Sequence, residues 1–594
     1  MRITALVLAC TLLFYPLVTA AQSHAKLSRT VETALAGPSR EPVKVWVYFA
    51  DHGERNKAQL ADMIARVQLS DRARERRFAR SNGPLTDVHD VPAYQPYLES
   101  LRQAGCRIHH SSKYLNAVSV FATPDQIRAL ASMRFVRKID RVRTARLPLP
   151  PAIEETPSPR FGTGLLQAPA LAYGDSYDQL NLIDVIPLHA ADVNGRGVIV
   201  AMLDTGFNRS HEALIHLDVV AEWDFINNDP VTKNEPGDFS SQQNHGTATL
   251  SALAGYKEGQ LIGPAYAASF ALAKTERVDT EIQQEEDDYV RALEWADSLG
   301  AVIVSSSLGY FDWYTYEDMD GNTAVTTIAA DIAASRGIAV ITAAGNEGPL
   351  PWPGIIAPSD GDSVIAVGAV NPDGTIASFS SRGPSYDGRI KPDVCAQGVM
   401  VRAASALDST GYYWSSGTSL ATPLVAGAAA QCLQMHPYWS PIDLRDSLRA
   451  HADHAASPNN DFGWGIIDAY QTALGGATSV AGRGRAPAAA TLLQSAPNPF
   501  VPSVSGRTSI RYTIGAPSSG SSSGSTLSDV KIAVYDVMGR LVKVLFEGPR
   551  LSGGYVVDWD GVNHRGVAVS SGVYYYTLSV GSVSVSKKLV LIRR

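Results

Sequence analysis

Three short motifs in this 594-residue sequence hold residue types that together can do acid–base and nucleophilic chemistry. Asp204-Thr205-Gly206 comes first, His245-Gly246-Thr247 second, and Gly417-Thr418-Ser419-Leu420-Ala421-Thr422-Pro423 last. A serine hydroxyl is a weak nucleophile until a base takes its proton, and an imidazole base needs a carboxylate to fix its tautomer and orientation. Asp, then His, then Ser is one of three known chain orders for such a triad. On this reading Asp204 holds the imidazole and stabilises its charged form. His245 is first base and then acid towards a leaving amine, and Ser419 attacks a scissile carbonyl. A fourth motif, Ala343-Ala344-Gly345-Asn346-Glu347-Gly348, offers the Asn346 side-chain N–H to the developing oxyanion, with the Ser419 backbone N–H as a second donor. A bare Asp-Thr-Gly or His-Gly-Thr is weak; the seven-residue serine pattern, with all four motifs in one order, is specific.

These residues need elements to position them. Residues 197–203, 301–305 and 337–343 are buried-strand runs, and 289–299, 326–336 and 419–435 read as helices. Asp204 then follows a strand, Asn346 follows another, and Ser419 opens a small-residue helix. Strand–helix alternation over 165–475 predicts an α/β domain with a parallel sheet and helices on both faces. Before it, 22–150 reads as a small α/β unit. It has strands at 44–49, 116–122 and 135–139, a helix at 124–133 and a polar, Arg-rich helical stretch through 72–77. A Pro-rich linker spans 147–159. After 475, residues 476–495 read as a Gly/Ala/Arg/Pro linker and 496–594 as a small all-β sandwich with a Ser/Gly loop at 518–525.

The catalytic segment resembles a subtilisin-like serine protease, a subtilase, from about Tyr173 to Ala473. The resemblance rests on the four motifs and on further matches. Ser307-Leu308-Gly309 matches the family strand that pairs with substrate backbone. The stretch 377–384, Lys391-Pro392-Asp393-Val394, Gly463-Trp464-Gly465 and Asp468-Ala469 match elsewhere. Ala248 stands where many members carry a second histidine. The resemblance implies a serine endopeptidase made as a zymogen, acting on protein or peptide substrates with no cofactor in the chemistry, and is compatible with structural calcium whose ligands are unassigned. By position and strand–helix pattern, the N-terminal unit resembles a subtilase propeptide, an intramolecular inhibitor cut off between residues 141 and 173. The tail resembles FlgD-like Ig and type A C-terminal sorting domains at Pro497-Asn498-Pro499-Phe500, residues 534–540, Trp559-Asp560-Gly561 and residues 571–574. That resemblance implies secretion or surface attachment in a Gram-negative-type cell; a polymer-binding accessory module is the alternative. The rival activities are an esterase and a catalytically inactive surface binding protein. Against the first, Ala421 replaces the last Gly of Gly-x-Ser-x-Gly and the serine comes last. Against the second, all four site residues are present.

Residues 1–21 read as a secretory signal peptide, from Arg2, an apolar run and Val18-Thr19-Ala20. No later apolar run is long enough for a span, so the processed protein is expected to be soluble. Cys395 and Cys432 either pair or sit as core thiols. Asp318-Met319-Asp320-Gly321-Asn322 begins like a calcium loop, but Ala329 at the bidentate position excludes an EF-hand. Tyr310, Phe311, Trp313, Tyr314 and Tyr316 make that loop aromatic, a candidate wall of the substrate groove. His211 fits a family position without a catalytic role, and His189, His216 and His436 read as structural or surface residues. The formal net charge of −7 argues against a nucleic-acid partner. It conceals a contrast: residues 22–150 hold 22 Lys and Arg against 12 Asp and Glu, residues 151–485 hold 17 against 41, and residues 486–594 hold 11 against 5. A basic prosegment beside an acidic enzyme predicts salt-sensitive association.

Overall fold

Seven strands, β-branched and alanine-rich, lie side by side in one parallel sheet. In chain order they are β5 (Ile199–Asp204), β6 (Asp218–Asp224), β7 (Ser269–Lys274), β8 (Ile303–Ser306), β9 (Ala339–Ala343), β10 (Ile365–Val370) and β11 (Val394–Gln397). Their order across the sheet is β11-β10-β9-β8-β5-β7-β6, every pair parallel. The computed structural model describes residues 26–142, 171–278, 284–475, 490–514 and 528–593, leaving out 39, 82, 312, 349–351, 353, 493–494, 496–497, 503–505, 551–552 and 582 within those spans. The expected signal segment, the 147–159 linker, most of the 141–173 interval, Pro497 and the 518–525 loop lie outside the described residues.

Successive side chains of a strand face opposite ways, and the interior strand β5 feeds two cores. Val200 and Met202 pack with Leu250, Leu253, Leu424 and Val425, from helices Asn244–Ala254 and Thr418–Met435. Ala201 and Leu203 pack with Tyr289, Leu293, Ala329 and Ala333, from helices Gln284–Leu299 and Val325–Ser335. Helices thus cover both faces, as expected.

The second core continues into the N-terminal unit, whose strands β1 (Val43–Phe49), β2 (Arg107–Ser112), β3 (Ala117–Ala122) and β4 (Val136–Arg141) form an antiparallel sheet in the order β2-β3-β1-β4. Val45, Val47 and Phe49 face its own core, while Trp46 between them joins Tyr114, Leu115 and Ala117 in the core under the catalytic helices. The Arg-rich stretch forms helix Asp71–Arg80, capped by Ser70, whose Oγ accepts from the Ala73 N–H at 3.1 Å. Its pattern reads as polar, yet Arg76, Arg77 and Arg80 are buried.

The tail is a separate unit of two antiparallel sheets around one core that includes Phe500, Tyr512, Val534, Trp559, Tyr576 and Leu589. Six strands lie within 508–591, in keeping with the expected all-β sandwich. A seventh, Ala490–Leu492, pairs with Thr508–Ile514 inside the stretch taken as linker, so that linker ends by residue 489. No helix among the described residues is long and apolar enough to cross a membrane. Cys106, Cys395 and Cys432 are free and buried, which settles the last two as core thiols, and burial raises the pKa of each.

Candidate active site

Asp204 ends β5 with its side chain fully buried, and His245 is the second residue of helix Asn244–Ala254. His245 Nδ1 donates to Asp204 Oδ1 at 2.7 Å. The approach depends on glycine: a Cβ on Gly246 would lie 2.2 Å from the Gly206 carbonyl oxygen, and Gly206 itself has φ +127°. That is the physical content of the glycines in both motifs. Asp204 Oδ1 also accepts from the Thr205 N–H at 2.7 Å, and Oδ2 accepts from Thr249 Oγ1 at 2.9 Å. Burial pulls the His245 pKa down, but the charge and hydrogen bond of Asp204 outweigh it, so the pKa is raised.

Ser419 is the second residue of helix Thr418–Met435. Its Oγ donates to the Ser307 carbonyl at 3.2 Å, while Ser307 Oγ donates to the Ser419 carbonyl at 2.8 Å. Among the described residues no hydrogen bond joins Ser419 Oγ to His245. The structure thus joins Asp204 to His245 and sets Ser419 at a helix start, bonded to Ser307. Asn346 follows β9, and its Oδ1 accepts from both the Thr418 N–H, at 2.9 Å, and Thr418 Oγ1, at 3.0 Å. A backbone N–H can only donate, which fixes the amide orientation and leaves Nδ2 for another acceptor. The Asn346 loop is pinned behind by Ser381, whose N–H donates to the Gly345 carbonyl and whose Oγ donates to Glu347.

The backbone groups of Leu308 and Gly309 have no hydrogen-bond partner among the described residues, while Tyr310 beyond them pairs with Ala357 in both directions. Two aromatic residues of the adjoining loop point inward rather than into an open groove. Tyr310 and Trp313 are buried, with the Tyr310 hydroxyl on Glu276. Tyr314 donates to Glu286 at 2.6 Å, and Tyr316 to the Pro384 carbonyl at 2.5 Å. The 318–322 carboxylates do not fit a calcium loop. Asp318 accepts from Thr315 N–H and Oγ1, and Asp320 from Asn322 N–H and Thr323 Oγ1. Asp224, Asp229 and Glu235 do converge, but the Lys274 ammonium already sits 2.8 Å from Asp224 and 2.7 Å from Asp238. His189 bridges Tyr173 and the Pro264 carbonyl, His211 holds the Gly411 carbonyl, His216 that of Tyr266 and His436 that of Ala473, all structural.

Sequence reasoning missed Thr249 and Thr418. Thr249 stands four residues after His245, one turn along the same helix face, which is the signal that could have found it. Thr418 lies inside the serine motif, but nothing in its spacing reveals that it orients Asn346.

A parallel α/β sheet with a buried carboxylate bonded to an imidazole, and a serine at a helix start, fits a peptidase of the serine type. The chain belongs to the subtilase family. The Subtilase family model matches residues 195–465, and that of the Peptidase S8 propeptide domain, Bacteroidota, matches residues 44–156. The chain is 30% identical to Subtilisin E of Bacillus subtilis over 374 residues, covering 63% of this chain and 84% of that one. It is 34% identical to Subtilisin of Bacillus pumilus over 288 residues, covering 48% and 94% respectively. Serine protease AprX of Bacillus subtilis is 30% identical over 310 residues, 48% of this chain and 67% of that one.

Proposed function

We propose that this chain is a secreted serine endopeptidase, made as a zymogen, that cuts peptide bonds through an acyl-enzyme intermediate. The observation that carries the reading is the hydrogen bond, at 2.7 Å, between the buried Asp204 carboxylate and the half-buried His245 imidazole. Ser419 turns from the Ser307 carbonyl towards His245, gives up its proton and attacks the substrate carbonyl. Asp204 stabilises the imidazolium that results. Asn346 Nδ2 and the Ser419 N–H hold the oxyanion. His245 then protonates the leaving amine, and water repeats the sequence on the acyl ester. The open backbone of Leu308 and Gly309, with the Ser307 carbonyl that Ser419 vacates, takes an extended substrate strand.

Residues 22–150 act as the inhibitory prosegment, removed by a cut between residues 141 and 173. The tail, 496–594, is a sorting or attachment module on a protein exported from a Gram-negative-type cell. Fluorophosphonate labelling of the processed protein, with Ser419→Ala as control, tests the chemistry. Labelling of the wild type alone is expected, and no labelling in a processed chain would leave an inactive subtilase-fold binding protein. Mass spectrometry of the exported form fixes both termini, and deletion of 490–594 tests sorting: retention in the periplasm supports it, and normal export with weaker substrate binding supports an accessory role.

A further inference from the structure

Three arginines of one prosegment helix close the C-terminal ends of two catalytic-domain helices. The last carbonyls of a helix have no partner within it and carry the negative end of its dipole. Helix Gln284–Leu299 ends at Gly300, φ +82°, and helix Val325–Ser335 ends just before Gly337, φ +88°. Arg76 Nη1 donates to the Asp297 and Ala301 carbonyls, both at 3.0 Å, and its Nε donates to the Arg336 carbonyl at 3.0 Å. Arg80 Nε donates to the Gly337 carbonyl at 3.0 Å. The Asp297 carboxylate pairs with both Arg76 and Arg77, with Arg77 Nη2 at 2.5 Å. The glycines fit the helix backbone itself: a Cβ on Gly300 would lie 2.5 Å from Arg72 Cβ, and one on Gly337 would lie 2.9 Å from Arg80 Cβ.

We infer that this seat, made of Asp297, Gly300 and the carbonyls of Ala301, Arg336 and Gly337, outlives the prosegment. It serves the processed enzyme as a recognition surface for arginine-bearing helical segments of partner proteins. The inference rests on the zymogen reading above, since the seat opens only when the prosegment leaves. A guanidinium fork is the matching ligand: it presents donors in one plane to a carboxylate and to several carbonyls at once, which an ammonium cannot do. Spacing selects the partner further, because Arg76, Arg77 and Arg80 sit at i, i+1 and i+4 of one helix. None of the seat residues belongs to the Asp204–His245–Ser419 constellation, so occupancy would tether a substrate without blocking the cleft.

The test uses the processed, exported enzyme inactivated with a fluorophosphonate, and a fluorescent peptide of residues 69–81 as probe. Anisotropy should show saturable binding to the processed enzyme and none to the unprocessed Ser419→Ala chain. Asp297→Asn in the enzyme, and Arg76→Lys with Arg77→Lys in the probe, should each weaken binding about tenfold or more. The lysine probe keeps the charge and leaves the enzyme untouched, so it decides the matter even if Asp297→Asn fails to fold. Absent binding, or equal binding of the lysine probe, overturns the seat while leaving the protease reading intact. A chain whose mass spectrum shows that the prosegment never leaves overturns both.

Discussion

Thr249 Oγ1 donates at 2.9 Å to the Asp204 oxygen that His245 does not use. With the Thr205 N–H on the other oxygen, the buried carboxylate is held on both sides before the imidazole reaches it. Removing the hydroxyl while keeping the shape leaves an unsatisfied charged oxygen, a change of about 1–3 kcal/mol. Thr249→Val should lower kcat about tenfold with KM little altered and also lower the melting temperature. Steady-state kinetics with thermal melting checks this, and unchanged kcat would make Thr249 a packing residue only.

The pH profile should carry the mark of Asp204. The carboxylate raises the His245 pKa, and the reaction needs the neutral imidazole. Asp204→Asn removes that effect, so the acid limb of kcat/KM should move to lower pH while the plateau falls by about 10⁴-fold. An acid limb that stays in place would assign it to another group.

Asn346→Ala should reduce kcat by about 10²–10³-fold, a magnitude carried over from the relative subtilisin, with KM nearly constant. Thr418→Ala, which frees the Asn346 amide to turn, should give a smaller loss of the same kind.

Prosegment inhibition should weaken as pH rises. Glu294 accepts from Ser112 Oγ and the Tyr114 N–H, with Lys113 nearby, and burial pushes its pKa up to about 7. Glu286 accepts from Tyr314 and faces Asp287 and Asp140; burial raises it to about 8. A carboxyl raised in the docked state binds a proton that it releases on separation. Its contribution is therefore full below the ordinary carboxylate range and lost as pH climbs through 7 and 8. The inhibition constant should rise between about pH 5 and 8 and level off above, and Glu294→Gln should flatten the rise. A pH-independent constant in the wild type would remove these two groups from docking.

The salt expectation changes character at the interface. Lys44–Asp287 and Arg77–Asp297 have side-chain exposures of 1% or less, so salt screens them little once docked. Raising ionic strength should slow prosegment association and leave its dissociation rate nearly constant, which stopped-flow measurement checks.

The elements that carry the motifs were readable, because each motif adjoins an apolar run or a helical stretch. The unbroken apolar run over residues 198–203 reads as a buried strand, and that strand ends at Asp204. The prosegment seat was not readable. Arg76 and Arg77 look solvated in a run of charges, because their partners are backbone carbonyls, an aspartate some 220 residues away and, for Arg77, Asp90 beyond the helix. Long-range pairing of buried charge leaves no local period. The strand Ala490–Leu492 was hidden for a related reason: three residues in a Gly/Ala/Pro context carry no alternation, and their pairing with Thr508–Ile514 comes from the sheet alone.

Gly300 and Gly337 each satisfy two demands that end at different times. As helix terminators with positive φ they serve the finished enzyme, where asparagine could replace glycine at modest cost. As the points where a side chain would strike Arg72 and Arg80, they serve a segment that, on the zymogen reading proposed above, the processed enzyme discards. On that reading the processed domain keeps, at two helix ends, a sequence constraint imposed by its own precursor. Transplanted behind an unrelated prosegment, the same domain would be released from it.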